Sequence, residues 1–246
     1  MQSPTVPSQD MLAQSARTEV GGFKIMNLPD GSVVQLNTDS AVEIRYSGTE
    51  RRAYLLKGEA SFDVARDAAR PFLVRARSVT VRAVGTAFNV RLRSAACEVL
   101  VTEGKVRVDS SVSGKSLLAG VESLAEPSVL TAGERVVVVA SPADVAPGEM
   151  AAEGRIAVVS TEDIRRELAW QDRRLEFEST PFLEVVTEFN RHNHHKLVVV
   201  DPRLAERRFG GSFSAGNVEA FVRLLETRFG VKAEHRENET LLRLDP

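Results

Sequence analysis

The sequence predicts a mainly β N-terminal domain, a stacked-strand β-roll or β-helix-like unit, followed by a small α+β domain with two βαβ units. Apolar blocks between Leu28 and Val139 alternate apolar and polar residues at period 2, the pattern of half-buried strands. Each block contains or adjoins a turn-forming glycine, as in Asp30-Gly31 and Glu103-Gly104. Beyond Ser160 the pattern changes to amphipathic helices that alternate with short strands.

The apolar blocks account for most of the predicted β domain. In chain order they read LPDGSVVQLN, LLKGEASFDV, PFLVRARSVTVRAVGTAFNVRL, VLVTEGKVRV and LTAGERVVVV. Gly85 stands alone inside a strand pattern, which indicates a bulge or a close backbone approach. Cys97 shares one strand face with Val99 and Val101, so we expect a small buried hydrophobe rather than a reactive thiol.

Changes of composition along the chain suggest the domain boundaries. We expect a flexible polar leader over residues 1–19 and the β domain over 20–140. The Ser- and Gly-rich residues 109–130 are interpreted as an inserted hairpin or loop. Residues 141–172 begin with two prolines and small residues and predict a linker with a short helix, and 173–246 predict the α+β domain.

The α+β part can be divided into elements. Ser160 is the predicted N-cap of a helix from Glu162 to about Trp170. Thr180-Pro181 predict an N-cap and first helical residue. Phe182, Val185, Val186 and Phe189 share one face of the helix that follows, which ends near His194. Further strands are predicted at 175–177, 196–200, 209–213, 231–235 and 241–244, with a second helix at 218–229 closed by Gly230.

Charge and composition exclude several function classes. The chain has 32 basic and 34 acidic residues, so no basic excess points to nucleic acid. No stretch approaches the roughly 18 apolar residues that span a bilayer. The first twenty residues lack the basic and apolar regions of a signal peptide. With a single cysteine, the chain has neither an internal disulfide nor a cysteine-based zinc site.

No motif indicates an enzyme or a bound cofactor. The sequence lacks GxGxxG after a strand, GxxxxGK[ST] and GxSxG, which excludes the common dinucleotide, P-loop and hydrolase signals. His192, His194 and His195 do not share one helix face, so we interpret them as cations at a helix C-terminus rather than as metal ligands. Trp170 is either a packing anchor beside the last domain or an exposed binding residue.

The order of the strand blocks resembles the FecR family of transmembrane sensors. GEASFDV, then RPF, then GTAFNV carry the resemblance, and AWQDRRLEFESTPFLEVVTEFNR resembles the segment before that family's C-terminal domain. The last seventy or so residues resemble the short secretin/TonB N-terminal module. The resemblance covers residues 20–246 and implies a periplasmic region that regulates an extracytoplasmic-function sigma factor.

The same resemblance implies partners. The expected partner is the periplasmic signalling domain of a TonB-dependent outer-membrane receptor, which reports siderophore uptake. A cytoplasmic domain and a membrane helix would lie upstream, so we expect Met1 to begin a fragment of a longer inner-membrane protein. Two alternatives remain open: a β domain that senses a small molecule or glycan directly, and a secretin-like assembly module.

The expected docking surface lies in the C-terminal module, whose strand edges could accept a partner strand through main-chain hydrogen bonds. The preferred strand is Phe209–Phe213, with the adjoining helix face. For any one of these residues the alternative is core packing, because phenylalanine at alternating positions is usually buried. The candidate contact residues are Phe209, Gly211, Phe213, Phe182 and Trp170.

Overall fold

The computed structural model describes residues 12–118, 129–139 and 153–245, which form two compact units. Unit 1 contains the described residues up to Arg17 together with Lys24–Leu36 and Ser40–Val159. Unit 2 contains Thr18–Phe23, Asn37–Asp39 and the chain from Ser160 onward. Residues 119–128 of the predicted insertion and 141–152 of the predicted linker lie outside the described residues.

Unit 1 consists of two seven-stranded sheets. The first has the order β1-β4-β5-β7-β8-β11-β12, and the second has the order β14-β13-β10-β9-β6-β3-β2. The strands are β1 Leu12–Arg17, β2 Lys24–Asn27, β3 Val33–Leu36, β4 Ala41–Tyr46, β5 Arg51–Lys57, β6 Glu59–Asp63, β7 Phe72–Ala76, β8 Val79–Ala83, β9 Ala87–Leu92, β10 Ala96–Glu103, β11 Lys105–Ser110, β12 Val129–Thr131, β13 Glu134–Val139 and β14 Glu153–Val158.

The strand pairing of unit 1 differs from a β-helix-like stack. Neighbouring strands of a β-helix run parallel, whereas here only β5 and β7 do so, and every other described pair in the two sheets is antiparallel. The reason is the spacing of the turns. Short connections between β4 and β5, between β7 and β8 and between β9 and β10 reverse the chain within a sheet, whereas parallel neighbours need a long crossover.

The predicted alternation of buried and exposed residues is confirmed. In β8, Val79, Val81 and Ala83 are buried, while Thr80 and Arg82 point outward. One hydrophobic core contains inward residues of both sheets, so the two inner faces pack against each other. Cys97 belongs to this core, as expected from its strand face.

Glycines make the turns that the sequence predicts. Gly58 and Gly104 have φ angles of 79° and 73°, in the left-handed region that favours glycine. Gly85, with φ 152°, approaches Arg66 so closely that an added Cβ would lie 2.8 Å from the Arg66 Cβ. The close backbone approach predicted at this position is therefore present.

We expect Gly104→Ala to destabilise the chain by about 2–3 kcal/mol, because alanine is strained at this φ and its Cβ would lie 2.8 Å from the Thr86 Cγ2. Gly114→Ala is the matched control, since Gly114 has φ 67° but no atom within 4 Å of an added Cβ. Urea unfolding measures both variants. Equal losses would show that the contact with Thr86 contributes nothing.

Four predictions about unit 1 need correction. Residues 12–17 of the predicted flexible leader form β1, which pairs with β4. Residues 153–158 of the predicted linker form β14, which pairs with β13. The strands β2 and β4 were also not predicted, and residues 20–23 and 37–39 of the predicted β domain belong to unit 2.

Unit 2 combines four short helices with two small sheets, β15-β17 and β16-β19-β18. Its helices are α1 Thr161–Glu167, α2 Phe182–His192, α3 Pro202–Ala205 and α4 Val218–Arg228, with a 3-10 turn at Ala169–Asp172. Its strands are β15 Arg174–Pro181, β16 Lys196–Val199, β17 Arg208–Ser214, β18 Val231–His235 and β19 Glu239–Leu244.

The predicted order of strands and helices in unit 2 is close to the observed order, but the predicted βαβ pairing is wrong. β15 and β16 flank α2 yet lie in different sheets, and β17 and β18 flank α4 in the same way. Strand β16 instead pairs in parallel with β19. Ser160 caps α1 as predicted, accepting a hydrogen bond from the Asp163 amide at 3.1 Å. Pro181, not Thr180, occupies the N-cap position of α2.

Candidate partner-docking site

The strand β17 forms one edge of a two-stranded ribbon with β15. Within the described residues β17 pairs with β15 alone, in antiparallel register from Arg174↔Ser214 to Pro181↔Arg208. Five of its seven residues are exposed: Arg208, Gly210, Gly211, Ser212 and Ser214. An edge strand of this kind carries backbone N–H and C=O groups that another strand can pair with.

Polar side chains cover one face of the ribbon. The Arg174 guanidinium donates to the Ser212 Oγ at 2.9 and 2.7 Å, and that hydroxyl donates to the Glu176 Oε1 at 3.2 Å. All three residues lie at the surface, where such contacts contribute little to stability. The network therefore orders the side chains on this face of the ribbon and leaves the face accessible to a partner.

An aromatic cluster supports β17 from below. Phe189 of α2 and Phe221 of α4 stack with ring centroids 4.1 Å apart. The ring of Phe213, on β17, lies edge-on to Phe221 at 5.1 Å, and Phe209 lies 4.6 Å from Phe182. The helical period of α2 and the two-residue period of β17 thus turn the phenylalanines of both elements towards one core.

The structure corrects three of the five candidate contact residues. Phe182, Phe209 and Trp170 are 0%, 4% and 4% exposed, so their side chains are buried and cannot contact a partner directly. Gly211 is exposed and Phe213 is half-buried, both on β17. What remains available on β17 is mainly its backbone and its small side chains.

A cleft of about 350 Å³ in unit 2 was not predicted from the sequence. Phe23, Trp170 and Arg173 line part of it, with the two rings 5.9 Å apart and the Arg173 guanidinium 5.7 Å from the Phe23 ring centroid. The indole N–H of Trp170 is buried and donates to no described group. No local pattern links Phe23 with residues so distant in sequence.

Unit 1 contains a buried ionic network. The Arg51 guanidinium is fully buried and donates to the Asp30 Oδ2 at 2.6 Å, the Arg70 carbonyl at 2.8 Å and the Ala65 carbonyl at 2.9 Å. Asp30 also accepts from the hydroxyls of Ser32 and Tyr46. Because every charged group in it is paired, the network is a structural feature rather than a reactive site.

The motif blocks of unit 1 contain a second buried polar contact. Glu59 of GEASFDV is 2% exposed and accepts a hydrogen bond from the Asn89 side chain of GTAFNV at 2.9 Å. Arg91 lies 3.9 Å from the same carboxylate. These contacts join β6 to β9, so the two blocks share a structural role.

The histidines near the end of α2 lie in separate environments. His192 is buried, and the Thr240 hydroxyl lies 2.8 Å from the His195 Nε2 and 3.1 Å from the His235 Nδ1. Among the residues that the structure describes, no three His, Cys, Asp or Glu side chains are placed to hold a metal ion. Likewise, no described helix is long and apolar enough to cross a membrane.

We expect Cys97 to resist thiol reagents while the chain is folded. Burial raises the pKa of the Cys97 thiol to about 12, so the reactive thiolate does not form at pH 8. The side chain is 3% exposed, so a reagent cannot reach the sulfur. Ellman's reagent at pH 8 should label the unfolded chain fully and the native chain only as fast as it unfolds. Rapid labelling of the native chain would contradict the placement of Cys97 in the core.

Comparison with known proteins supports the resemblance of the β domain to the FecR family. Residues 14–107 match the FecR protein family. Two crystal structures of a candidate anti-sigma factor from Parabacteroides distasonis, at 2.50 and 1.65 Å resolution, each have a TM-score of 0.67. The first is 25% identical and the match covers 95% of this chain and 99% of that one, and the second is 24% identical with 94% and 99% covered. No curated protein matches the sequence. The chain therefore carries a FecR domain and is similar over nearly its whole length to a candidate anti-sigma factor.

Proposed function

We propose that the chain is the periplasmic signalling region of a FecR-like regulator of an extracytoplasmic-function sigma factor. The FecR domain in residues 14–107 and the likeness to a candidate anti-sigma factor support a role in sigma-factor regulation. In this proposal the chain receives the signalling domain of a TonB-dependent outer-membrane transducer and relays siderophore or iron-uptake status inward.

The observation that carries the proposal is the open edge of β17. Docking by strand addition needs a row of unpaired backbone groups and few special side chains. β17 offers that edge with Gly210, Gly211, Ser212 and Ser214 exposed, over a rigid aromatic core. Small residues let a partner backbone approach closely. The buried phenylalanines hold the strand in place and take no direct part in contact.

Lysine placed on the edge strand tests this docking mode. Gly210 is exposed, and an added Cβ would lie 3.5 Å from the Phe177 carbonyl oxygen, an ordinary contact. Gly210→Lys therefore adds bulk and charge to the edge, which natural edge strands use to prevent pairing. Gly216→Lys is the matched control, because Gly216 lies beyond β17 with no atom within 4 Å of an added Cβ.

The measurement is the affinity of the full chain for each purified transducer signalling domain of the same organism, by calorimetry. We expect Gly210→Lys to weaken the binding by at least about tenfold, and Gly216→Lys to leave it unchanged. Equal losses in both variants, or none in either, would contradict docking at β17. If no signalling domain binds the unaltered chain, the partner is wrongly assigned.

A further inference from the structure

The outer face of the first sheet of unit 1 carries a row of arginines. The register places Arg45 opposite Arg52 and Arg82 opposite Arg107. Leu73 lies between Arg52 and Arg82 in the same row, because it pairs with both. All four arginines project away from the core, since their neighbours along each strand are buried. The row therefore crosses β4, β5, β7, β8 and β11 at the surface.

A second outward row lies beside the first. It runs through Glu43, Tyr54, Arg75, Thr80 and Asp109, each opposite the next. The two rows together hold five arginines and two carboxylates, on a chain whose net charge is −2. This face therefore carries a net positive charge, although the net charge of the whole chain is negative.

Neighbouring carboxylates neutralise only part of this charge. Arg45 pairs with Glu43 at 2.7 Å, Arg107 pairs with Asp109 at 2.7 Å, and Arg52 pairs with Glu50. Arg75 and Arg82 are exposed and have no ion pair or hydrogen bond within the described part of the chain. Both guanidinium groups are therefore available to an anionic ligand.

The arrangement costs stability. Like charges placed directly opposite one another on a sheet are destabilising, and here two such arginine pairs share one row. None of these outward side chains contributes to the core. The Arg45 guanidinium lies 5.2 Å from the Tyr54 ring centroid and carboxylates pair with three of the four arginines, whereas Arg82 has no such contact within the described residues. A charged side chain that opposes a like charge without compensation indicates a functional position.

Two shallow depressions lie on this face, on either side of Tyr54. One, of about 340 Å³, is lined by Arg45, Ser47 and Tyr54 among others. The other, of about 200 Å³, is lined by Tyr54, Leu73, Arg75, Thr80 and Ser111 among others. Arg52 and Tyr54 line both, so one extended ligand can occupy the two depressions together.

We propose that this face binds a linear acidic oligosaccharide. Its negatively charged groups accept hydrogen bonds from Arg75 and Arg82, and a sugar ring packs against Tyr54 beside the Arg45 guanidinium, which lies 5.2 Å from the Tyr54 ring centroid. Guanidinium groups suit carboxylate and phosphate because they present a planar fork of donors. The hydroxyls of Ser47, Thr80 and Ser111 line the same depressions and match the hydroxyl groups of a sugar. This site is independent of docking at β17.

Other anionic ligands fit the face less well. A peptide that docks by backbone pairing needs a free sheet edge, but β5, β7 and β8 are interior strands paired on both sides. An acidic peptide held by arginine side chains alone is the competitor that hexaglutamate represents in the test below. A membrane surface requires apolar side chains that can insert, and Leu56, 51% exposed, is the one large exposed apolar residue on β4, β5, β7, β8 and β11. Recognition by side chains in concave depressions favours a glycan.

The test measures binding of a hexamer of galacturonate to the full chain by microscale thermophoresis. Maltohexaose is the neutral control, and hexaglutamate and phosphatidylglycerol vesicles are the competing anions. Arg75→Glu/Arg82→Glu removes the two unpaired guanidinium groups. Lys24→Glu/Arg155→Glu makes the same change of charge at exposed positions of the second sheet. Arg75→Ala/Arg82→Ala replaces the first variant if charge reversal impairs folding.

We expect the galacturonate hexamer to bind, and the Arg75/Arg82 variant to bind it at least about tenfold more weakly. The Lys24/Arg155 variant distinguishes a local site from an effect of the chain's net charge. Maltohexaose distinguishes recognition of the acidic groups from general binding of sugars. Equal loss in the two charge-reversed variants, equal binding of maltohexaose, or no binding at all would overturn the proposal. Tighter binding of hexaglutamate or of the vesicles would overturn the assignment to a glycan.

Discussion

Replacing Arg51 by alanine is expected to lower the free energy of unfolding by about 3–5 kcal/mol. The guanidinium is fully buried, and its removal leaves the Asp30 carboxylate, 7% exposed, without its cation. The carbonyls of Ala65 and Arg70 also lose a buried donor. A buried charge without a partner is among the largest single costs that a mutation can impose.

Urea unfolding followed by circular dichroism measures this loss. Arg45→Ala is the matched control, because Arg45 also pairs with a carboxylate on the same sheet but its side chain is 63% exposed. An exposed pair contributes about 0–1 kcal/mol, so the control should change little. Similar losses in the two variants would show that burial of the Arg51–Asp30 pair does not matter. If the alanine variant does not fold, Arg51→Lys can be measured instead. It keeps a positive charge, so we expect an intermediate loss of unfolding free energy.

The same network predicts a pH dependence. Burial by itself raises the pKa of Asp30, but hydrogen bonds from Ser32, Arg51 and Tyr46 lower it by more, so the pKa of Asp30 lies below its usual value. A carboxyl group of this kind adds stability above its unfolded pKa of about 3.9 and loses it as pH falls through the folded pKa. Between about pH 5 and 2, unfolding free energy should fall more steeply in the unaltered chain than in Asp30→Asn. Parallel curves would contradict this.

Phe189→Ala is expected to lower the unfolding free energy of unit 2 by about 3–5 kcal/mol. The Phe189 side chain is fully buried and its ring stacks on Phe221, with Phe213 of β17 at 5.9 Å. Truncation leaves a cavity where the two helices and the docking strand meet. We therefore also expect weaker binding of the transducer signalling domain.

Fluorescence of Trp170 measures this loss selectively, because Trp170 is the single tryptophan of the chain and is buried in unit 2. Leu183→Ala is the control on the same helix, since Leu183 is 55% exposed and should change stability by about 0.5 kcal/mol or less. Phe189→Leu keeps the measurement possible if alanine prevents folding. A loss for Phe189→Ala no larger than for Leu183→Ala would contradict the assigned core.

Elements with strong periodicity could be predicted from the sequence. Phe182, Val185 and Phe189 repeat at helical spacing and are all buried on α2. The alternation in β8 and the glycines at 58 and 104 predicted strands and turns in the same way. These signals are local, because neighbouring residues alone determine which side chains share a face.

Sheet membership and the charged features could not be predicted in this way. Arg51 and Asp30 are 21 residues apart, and nothing near either indicates that they pair. The parallel pairing of β16 with β19 and the arginine row likewise depend on register between distant strands. The residues LAQSAR of β1 lack regular apolar alternation, so the strand is set by its pairing with β4.

The degree of burial also determines which of the candidate contact residues can touch a partner. The sequence marks Phe209 and Phe213 equally as alternate residues of one strand, yet Phe209 is 4% exposed and Phe213 is half-buried. The difference comes from packing beneath the strand, where Phe209 meets Phe182 and Phe229. Docking at β17 therefore depends on its backbone edge more than on its aromatic side chains.

Amide hydrogen exchange of the intact chain, with and without a saturating transducer signalling domain, tests docking at β17 most directly. Strand addition predicts slower exchange of amides in Arg208–Ser214 when the partner is bound. Val231–His235, one of the two edge strands of the three-stranded sheet in unit 2, should exchange at an unchanged rate. Unchanged exchange in Arg208–Ser214 under saturation, or slowing confined to Val231–His235, would contradict docking at this edge.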